Sequence, residues 1–441
     1  MLIGRYVQRA AALVAVGVTP VHAAEPIVII HAGTLLAVPG HAAKTRQTLV
    51  VRGGRVAAVK DGFLDADTMG MDLPVEVIDL SHEFVLPGMI DLHVHLTTDT
   101  EPGEALRVVT RHAADLALVA NHHARETVQA GFTTVLDLGT GRPQHDEAVR
   151  ALKSAIAAGI VFGPRVLSAG SPIATTGSSR TGRFASEVEA VVGPDGICDG
   201  PQDCQREVRE QVASGADVIN LYNSGSIGDL HLVERTMTEL EMRAVVETAH
   251  ALGRRVVADG HTAAAINTAL RAGADIIDTA PWPDEESFRL MRRQGVFLEP
   301  HMYAFVVSVQ DLRSGSTTVP DRPDSPIVAR LKGVLASPFS AQLAHERGVR
   351  LAYGSDTGIV RHGDNAGELA ELVAIGLTPM QAIEVVTVNS AVAIGWSAEI
   401  GSLEPGKRAD VIATRGDPLR DIAALRQVSF VMRDGHVLEH H

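Results

Sequence analysis

Eight short apolar runs, spaced along the middle of the chain, constrain its fold more than any other feature. They read GMIDLHVHL, FTTVLDLG, PRVLSAG, ADVINLYN, RVVADGH, ADIIDTA, VFLEPHM and RLAYGSDTG. Helix-like segments such as HARETVQAG, ELEMRAVVETAHALG and AAAINTALRAG lie between most of them, and several end in glycine, as helix C-caps do. Eight repeats of strand then helix predict an α/β fold, a parallel (β/α)8 barrel of the TIM type over residues 89–397. An open doubly wound sheet would need a phosphate-binding Gly-rich loop or a reversal of strand order, and the chain has neither. In a barrel, chemistry sits at the C-terminal ends of the strands, so the polar residues that close each run become the candidates.

The flanks have another texture. Residues 24–88 and 398–437 carry short Val- and Ile-rich runs broken by glycine, which predict one small composite β domain built from both ends of the chain. With 441 residues there is room for both units. A net charge of −14 and no basic run argue against a nucleic-acid partner, because phosphate binding needs a basic surface. The first 23 residues, with Arg5 and Arg9 ahead of an apolar stretch and small residues up to Ala23, have the layout of a secretory signal peptide. A periplasmic or secreted protein is the expectation, with no membrane association once the leader is cleaved. Leu438–His441 reads as an affinity-tag remnant, and its histidines are set aside. Cys198 and Cys204 share one short loop; an exported chain could join them as a disulfide, and zinc is the lesser reading because no second pair completes a ligand set.

Strand one ends with His93 and His95, two apart, so both imidazoles face the same way and can chelate a divalent metal. Strand eight ends with Asp356, placed to touch that metal and to move a proton. With these in place, the chain resembles the amidohydrolase superfamily, in its imidazolonepropionase-like and prolidase-like branch. The pieces that carry the likeness are LPGMIDLHVHL, AGFTTVLDLG, GPRVLSAGSPI, GADVI, YGSDTG and GSLEPGKRADVIATRGDPL, spread from about residue 27 to 437. The resemblance implies a distorted (β/α)8 barrel with a flanking β-sandwich, and metal-dependent hydrolysis of carbon–nitrogen bonds.

His93, His95 and Asp356 match the resembled ligand pattern; three other positions depart from it. Where binuclear relatives place a carboxylated lysine at the end of strand four, this chain has Asn220. Asp259 stands where strand five supplies a histidine, and Thr279 where strand six supplies another. The five lysines, Lys44, Lys60, Lys153, Lys332 and Lys407, all lie away from the ends of barrel strands, so the standard bridged pair of metals is not expected. The expectation is one zinc per chain held by His93, His95, Asp356 and Asp259, with His261 beside Asp259 as ligand or substrate contact. Asp356 is the expected general base, and His261 is expected to assist catalysis.

His301, at the end of strand seven, is a further candidate near metal or substrate. Asn220, Tyr222, Arg180 and Arg183 follow strands four and three, where a substrate carboxylate could be held. The substrate is expected to be a small molecule: a dipeptide of the Xaa-Pro kind, an N-acyl amino acid or a cyclic amide. Esters and lactones suit the same chemistry, and assembly into a homo-oligomer is compatible with it. The contrasting reading is a barrel that has lost catalysis and binds a small molecule; metal content separates the two.

Overall fold

The computed structural model describes residues 27–70, 75–100, 110–178, 187, 193, 195–225, 234–314, 326–336 and 339–440. The expected leader, and with it the cleavage site, lies outside these residues, as do Arg180 and Arg183. None of the described helices is long and apolar enough to cross a membrane.

The barrel opens with β5 (Met89–Val94), β6 (Phe132–Asp137) and β7 (Arg165–Ser168), three parallel strands. It continues through β8 (Val218–Tyr222), β9 (Arg255–Asp259), β10 (Ile276–Asp278), β11 (Phe297–Glu299) and β12 (Arg350–Leu351), also parallel. Backbone bonds join the two groups into a ring. Tyr222 N donates to Ile173 O at 2.8 Å on one side, and Leu92 N donates to Tyr353 O at 2.8 Å on the other. The strands are buried on both faces, which is why they read as continuous apolar runs rather than alternating ones. Helices pack outside, among them α1 (Ala113–Gln129), α2 (Pro143–Ala157), α3 (Pro201–Ala213), α4 (Glu239–Ala251), α5 (Ala263–Ala272) and α6 (Glu285–Gln294). Thr238 caps α4 and Asp284 caps α6 through capping boxes, and Gly273 and Gly295 close α5 and α6 in left-handed conformation. Cys198 and Cys204 are joined in a buried disulfide at the start of α3.

Both ends of the chain build the second domain. β1 (Ile27–Leu35), β2 (Lys44–Arg52), β3 (Arg55–Asp61) and β4 (Val75–Pro87) combine with β13 (Val411–Thr414), β14 (Val428–Arg433) and β15 (His436–His440). They form one continuous sheet of order β15-β14-β13-β4-β1-β2-β3. β1 is covered on both faces: Val28 and Ile30 join one apolar cluster, Ile27 and Ile29 another. Of the residues set aside in the sequence as tag, Glu439 and His440 pair with Val431 and Phe430 of β14, and Leu438 lies between them and Val437 at a shift of register in β15. Arg165, at the foot of β7, pins the domain to the barrel by reaching Asp410 at 2.6 Å and Asp434 at 2.6 Å. Arg408 shares Asp434 at 2.7 Å.

Candidate metal centre

β5 carries His93 to the barrel mouth, and His95 follows one residue past the end of the strand. Their Nε2 atoms stand 3.0 Å apart, and Asp356 Oδ1 lies 3.4 Å from the first and 3.6 Å from the second. Donors about 2.1 Å from a tetrahedral ion stand about 3.4 Å from one another, so these three atoms already have the spacing of a ligand set. Asp356 is held there with a positive φ of 56°, an unusual conformation for a side chain larger than glycine. Its backbone N–H donates to His93 O at 3.0 Å. The buried carboxylate of Asp91 supports the same loop, accepting from Ser355 N at 3.0 Å, from Ser355 Oγ at 2.5 Å and from Asn365 Nδ2 at 2.8 Å.

A second group of donors lies beside the first. His93 Nδ1 is 3.0 Å from Asp278 Oδ2, and His301 Nε2 is 2.8 Å from Asp278 Oδ1. Glu299 Oε2 is 3.9 Å from His301 Nε2. Burial works against charge on His93, but Asp278 and Asp356 outweigh it and raise the imidazole to about 9. Burial likewise opposes the charge on Asp278, yet His301 and His93 hold its carboxyl well below the usual range. Burial, with Asp278 nearby, pushes Glu299 up to about 8. His301, Thr279 and Ala280 also have positive φ, at 51°, 66° and 28°, so the ends of β10, β11 and β12 are all strained where they meet the site.

The structure separates the sequence candidates. His93, His95 and Asp356 come together. Asp259 is absent from both donor groups found among the described residues. β9 ends at Asp259, and the turn through Gly260 brings His261 Nδ1 to 3.4 Å from Asp259 Oδ1, so the acid faces that imidazole. Ser224 Oγ lies 3.2 Å from the same nitrogen. Asn220, expected at the substrate, is only 1% exposed and donates to Leu138 O at 3.0 Å; it braces β8 from inside. His301 is also 1% exposed and sits with the metal-type donors rather than on an open surface. Tyr222 is half-buried at the end of β8. Asp278, Glu299 and Asp91 were not singled out in the sequence. A usable signal existed for one of them: Glu299 and His301 have the same two-residue spacing at a strand end as His93 and His95.

A model of the amidohydrolase family matches residues 84–438. The chain belongs to that family. It is therefore a hydrolase acting on carbon–nitrogen bonds, of a family that is generally metal-dependent. The ochratoxinase of Aspergillus niger is 28% identical over 94% of this chain and 87% of its own length. Its crystal structure superposes with a TM-score of 0.80 at 26% identity, covering 95% of this chain and 96% of that one. The crystal structure of a Xaa-Pro dipeptidase with methionine in its active site gives 0.83 at 29% identity, over 94% of this chain and all of the other.

At the end of β6, Asp137 Oδ2 accepts from Leu96 N at 2.8 Å and steadies the turn after His95. Its neighbour Asp146, on α2, is bonded to the Ser171 hydroxyl. Burial above all pushes Asp146 up to about 7; the Ser171 bond opposes this in part, and Asp137 adds to the rise. The folded state thus keeps a proton that the unfolded chain loses near pH 3.8. That contribution is complete below pH 3.8 and disappears as the pH rises through 7, with a slope of at most about 1.4 kcal/mol per pH unit. Asp146→Asn is expected to remove the slope. In denaturant titrations from pH 4.5 to 7, the variant should gain stability relative to the parent as pH rises; a gap constant with pH would refute this.

Proposed function

We propose that this protein hydrolyses the amide bond of a small substrate bearing a carboxylate, a dipeptide of the Xaa-Pro kind or an N-acyl amino acid. The observation that carries the reading is the convergence of His93, His95 and Asp356 at ligand spacing on the mouth of a barrel of this family. The residues fit a divalent metal, zinc above all: two imidazoles and a carboxylate, with Asp278 bonded to the far nitrogen of His93 and fixing its tautomer. Such an ion, when bound, supplies an acidified water and polarises the scissile carbonyl. Asp356 takes the proton from the attacking water and returns it to the departing nitrogen. His93 is locked on a buried strand, and His95, one residue past its end, is held by its N–H on Thr357 O at 2.8 Å, so both keep their geometry without reorganising. His261, held through Nδ1 by Ser224 and Asp259, keeps its ring in one orientation and presents Nε2 for a substrate contact.

The substrate class draws support from the relatives named ochratoxinase and Xaa-Pro dipeptidase, both acting on amide bonds. A second reading, a small-molecule binding barrel without turnover, is favoured by one feature: Asn220, in the place of the bridging lysine, is engaged with Leu138 O. Zinc content of the purified protein, and release of free amino acid from a library of dipeptides and N-acyl amino acids, decide between them. The hydrolase is expected to hold zinc, to release product, and to lose both on His93→Ala. Ligand binding without zinc under repletion would establish the binding barrel.

A further inference from the structure

Strand eight closes the barrel against strand one, yet β12 and β5 belong to separate sheets. Three backbone bonds cross this seam among the described residues: Leu92 N on Tyr353 O at 2.8 Å, Asp356 N on His93 O at 3.0 Å and His95 N on Thr357 O at 2.8 Å. All of them lie at Tyr353 or nearer the mouth. Toward the foot of the barrel, Leu351 O and Tyr353 N come next along the same edge. In an unbroken parallel ladder, one residue of the neighbouring strand would bond to both. Here two side chains do so instead. Asn389 Nδ2 donates to Leu351 O at 3.2 Å, and Ser390 Oγ accepts from Tyr353 N at 3.0 Å. The donor and acceptor of the pair stand in for the N–H and C=O of a strand residue.

Both side chains are presented by a π-helical turn, Val385–Asn389, which Ser390 follows directly. Turns of this kind are rare and concentrate at functional places. Ser390 Oγ donates to Val385 O, five residues back, at 2.7 Å while receiving Tyr353 N, so one hydroxyl ties the wide turn to the strand. Tyr353 and Ser390 are fully buried, and a buried N–H that loses its acceptor is costly. Without Ser390, strand eight must shift against strand one before Tyr353 N regains a partner. Asp356 lies three residues further along the same chain segment, and its 3.4 Å gap to His93 Nε2 spans this seam.

From this geometry we infer that Asn389 and Ser390 are positioning residues of the metal centre. They replace a rung between strands eight and one, and so set the distance from Asp356 to His93 and His95. They act through the backbone of Leu351 and Tyr353. Thr387 supplies the control, because its buried hydroxyl donates to Ile383 O at 2.5 Å, a bond that stays inside the same helical segment.

The inference rests on the hydrolase reading, and one readout is independent of it. Deuterium exchange at the amides of Leu92, His95 and Asp356 is followed in the zinc-free parent and in Ser390→Ala, Asn389→Leu and Thr387→Val. Zn(II) affinity and kcat/KM at saturating zinc are then measured on the same proteins. In Ser390→Ala and Asn389→Leu the three amides should exchange about 10-fold faster, with zinc affinity and kcat/KM each lower by about 10- to 100-fold. Thr387→Val should stay within about twofold of the parent in all three measurements while its Tm falls. Parental exchange and zinc affinity in Ser390→Ala, or equal losses in Thr387→Val, would overturn the inference. Faster exchange in both seam variants of a parent that binds no zinc would support the control of Asp356 by the seam and overturn the metal reading instead. Asn389 is only half-buried, so Asn389→Leu decides by the same readouts if Ser390→Ala does not fold.

Discussion

Asp356→Asn is expected to lower kcat by on the order of 10³-fold while the protein still binds zinc and still folds. The change keeps the shape of the side chain and removes its ability to accept a proton. Asp356 sits 3.4 and 3.6 Å from the two imidazole nitrogens, so it is close enough to serve both as a ligand and as the group that moves the proton. Its two roles separate in the measurement. Loss of ligation alone would lower zinc affinity and be offset by excess zinc. Loss of the base lowers kcat at saturating zinc and leaves KM nearly unchanged. Unchanged turnover at saturating zinc would remove Asp356 from the proton-transfer role. Folding should be little affected, because the strained turn is held by Asp91 through Ser355 and by Asp356 N on His93 O, and none of those bonds uses the Asp356 side chain.

The contrast between His93 and Asp278 shows where reading the sequence succeeds and where it stops. The barrel was legible because each strand leaves an apolar run and most helices leave a glycine stop, both local signals. His93 and His95 were legible because the alternation of β5, which ends at Val94, carries on through the next residue. Alternation fails where the backbone past the strand turns left-handed. At β10 the chain leaves the strand at Asp278, and Thr279 and Ala280 take positive φ, so the position aligned with a ligand in relatives does not carry the donor. Asp278, one residue earlier, faces His93 and His301 instead. Asp259 misleads in a related way: it occupies a ligand slot by position, but the turn after it delivers His261 to its carboxylate. Left-handed residues are set by tertiary packing, and a single sequence carries little trace of them outside glycine.

Gly354→Ala is the second change expected to have a large effect, and it reaches the site without touching a donor. Gly354 follows β12 and faces the cluster with bare backbone. A methyl group there would lie 2.7 Å from His301 Nε2, 3.0 Å from His93 Cβ and 3.2 Å from Glu299 Oε2. Comfortable contact for such atoms begins near 3.5 Å, so His301 must move by roughly 0.8 Å. The ring has little room to do so: it is 1% exposed and stands edge-on to His93 with centroids 4.4 Å apart. Displacement therefore passes to Asp278 and His93, the groups that orient the metal-type donors. A misplacement of about 1 Å near reacting groups costs about 100-fold in rate, and that is the loss of kcat/KM expected here. Bound zinc should fall in parallel, since the ligand spacing is what the methyl disturbs. Gly354 has no left-handed φ to defend, so alanine suits the backbone itself, and the effect arises from crowding alone. Zinc content and kcat/KM equal to those of the parent would show that the cluster yields freely, and that its spacing is not set by the bare backbone at Gly354.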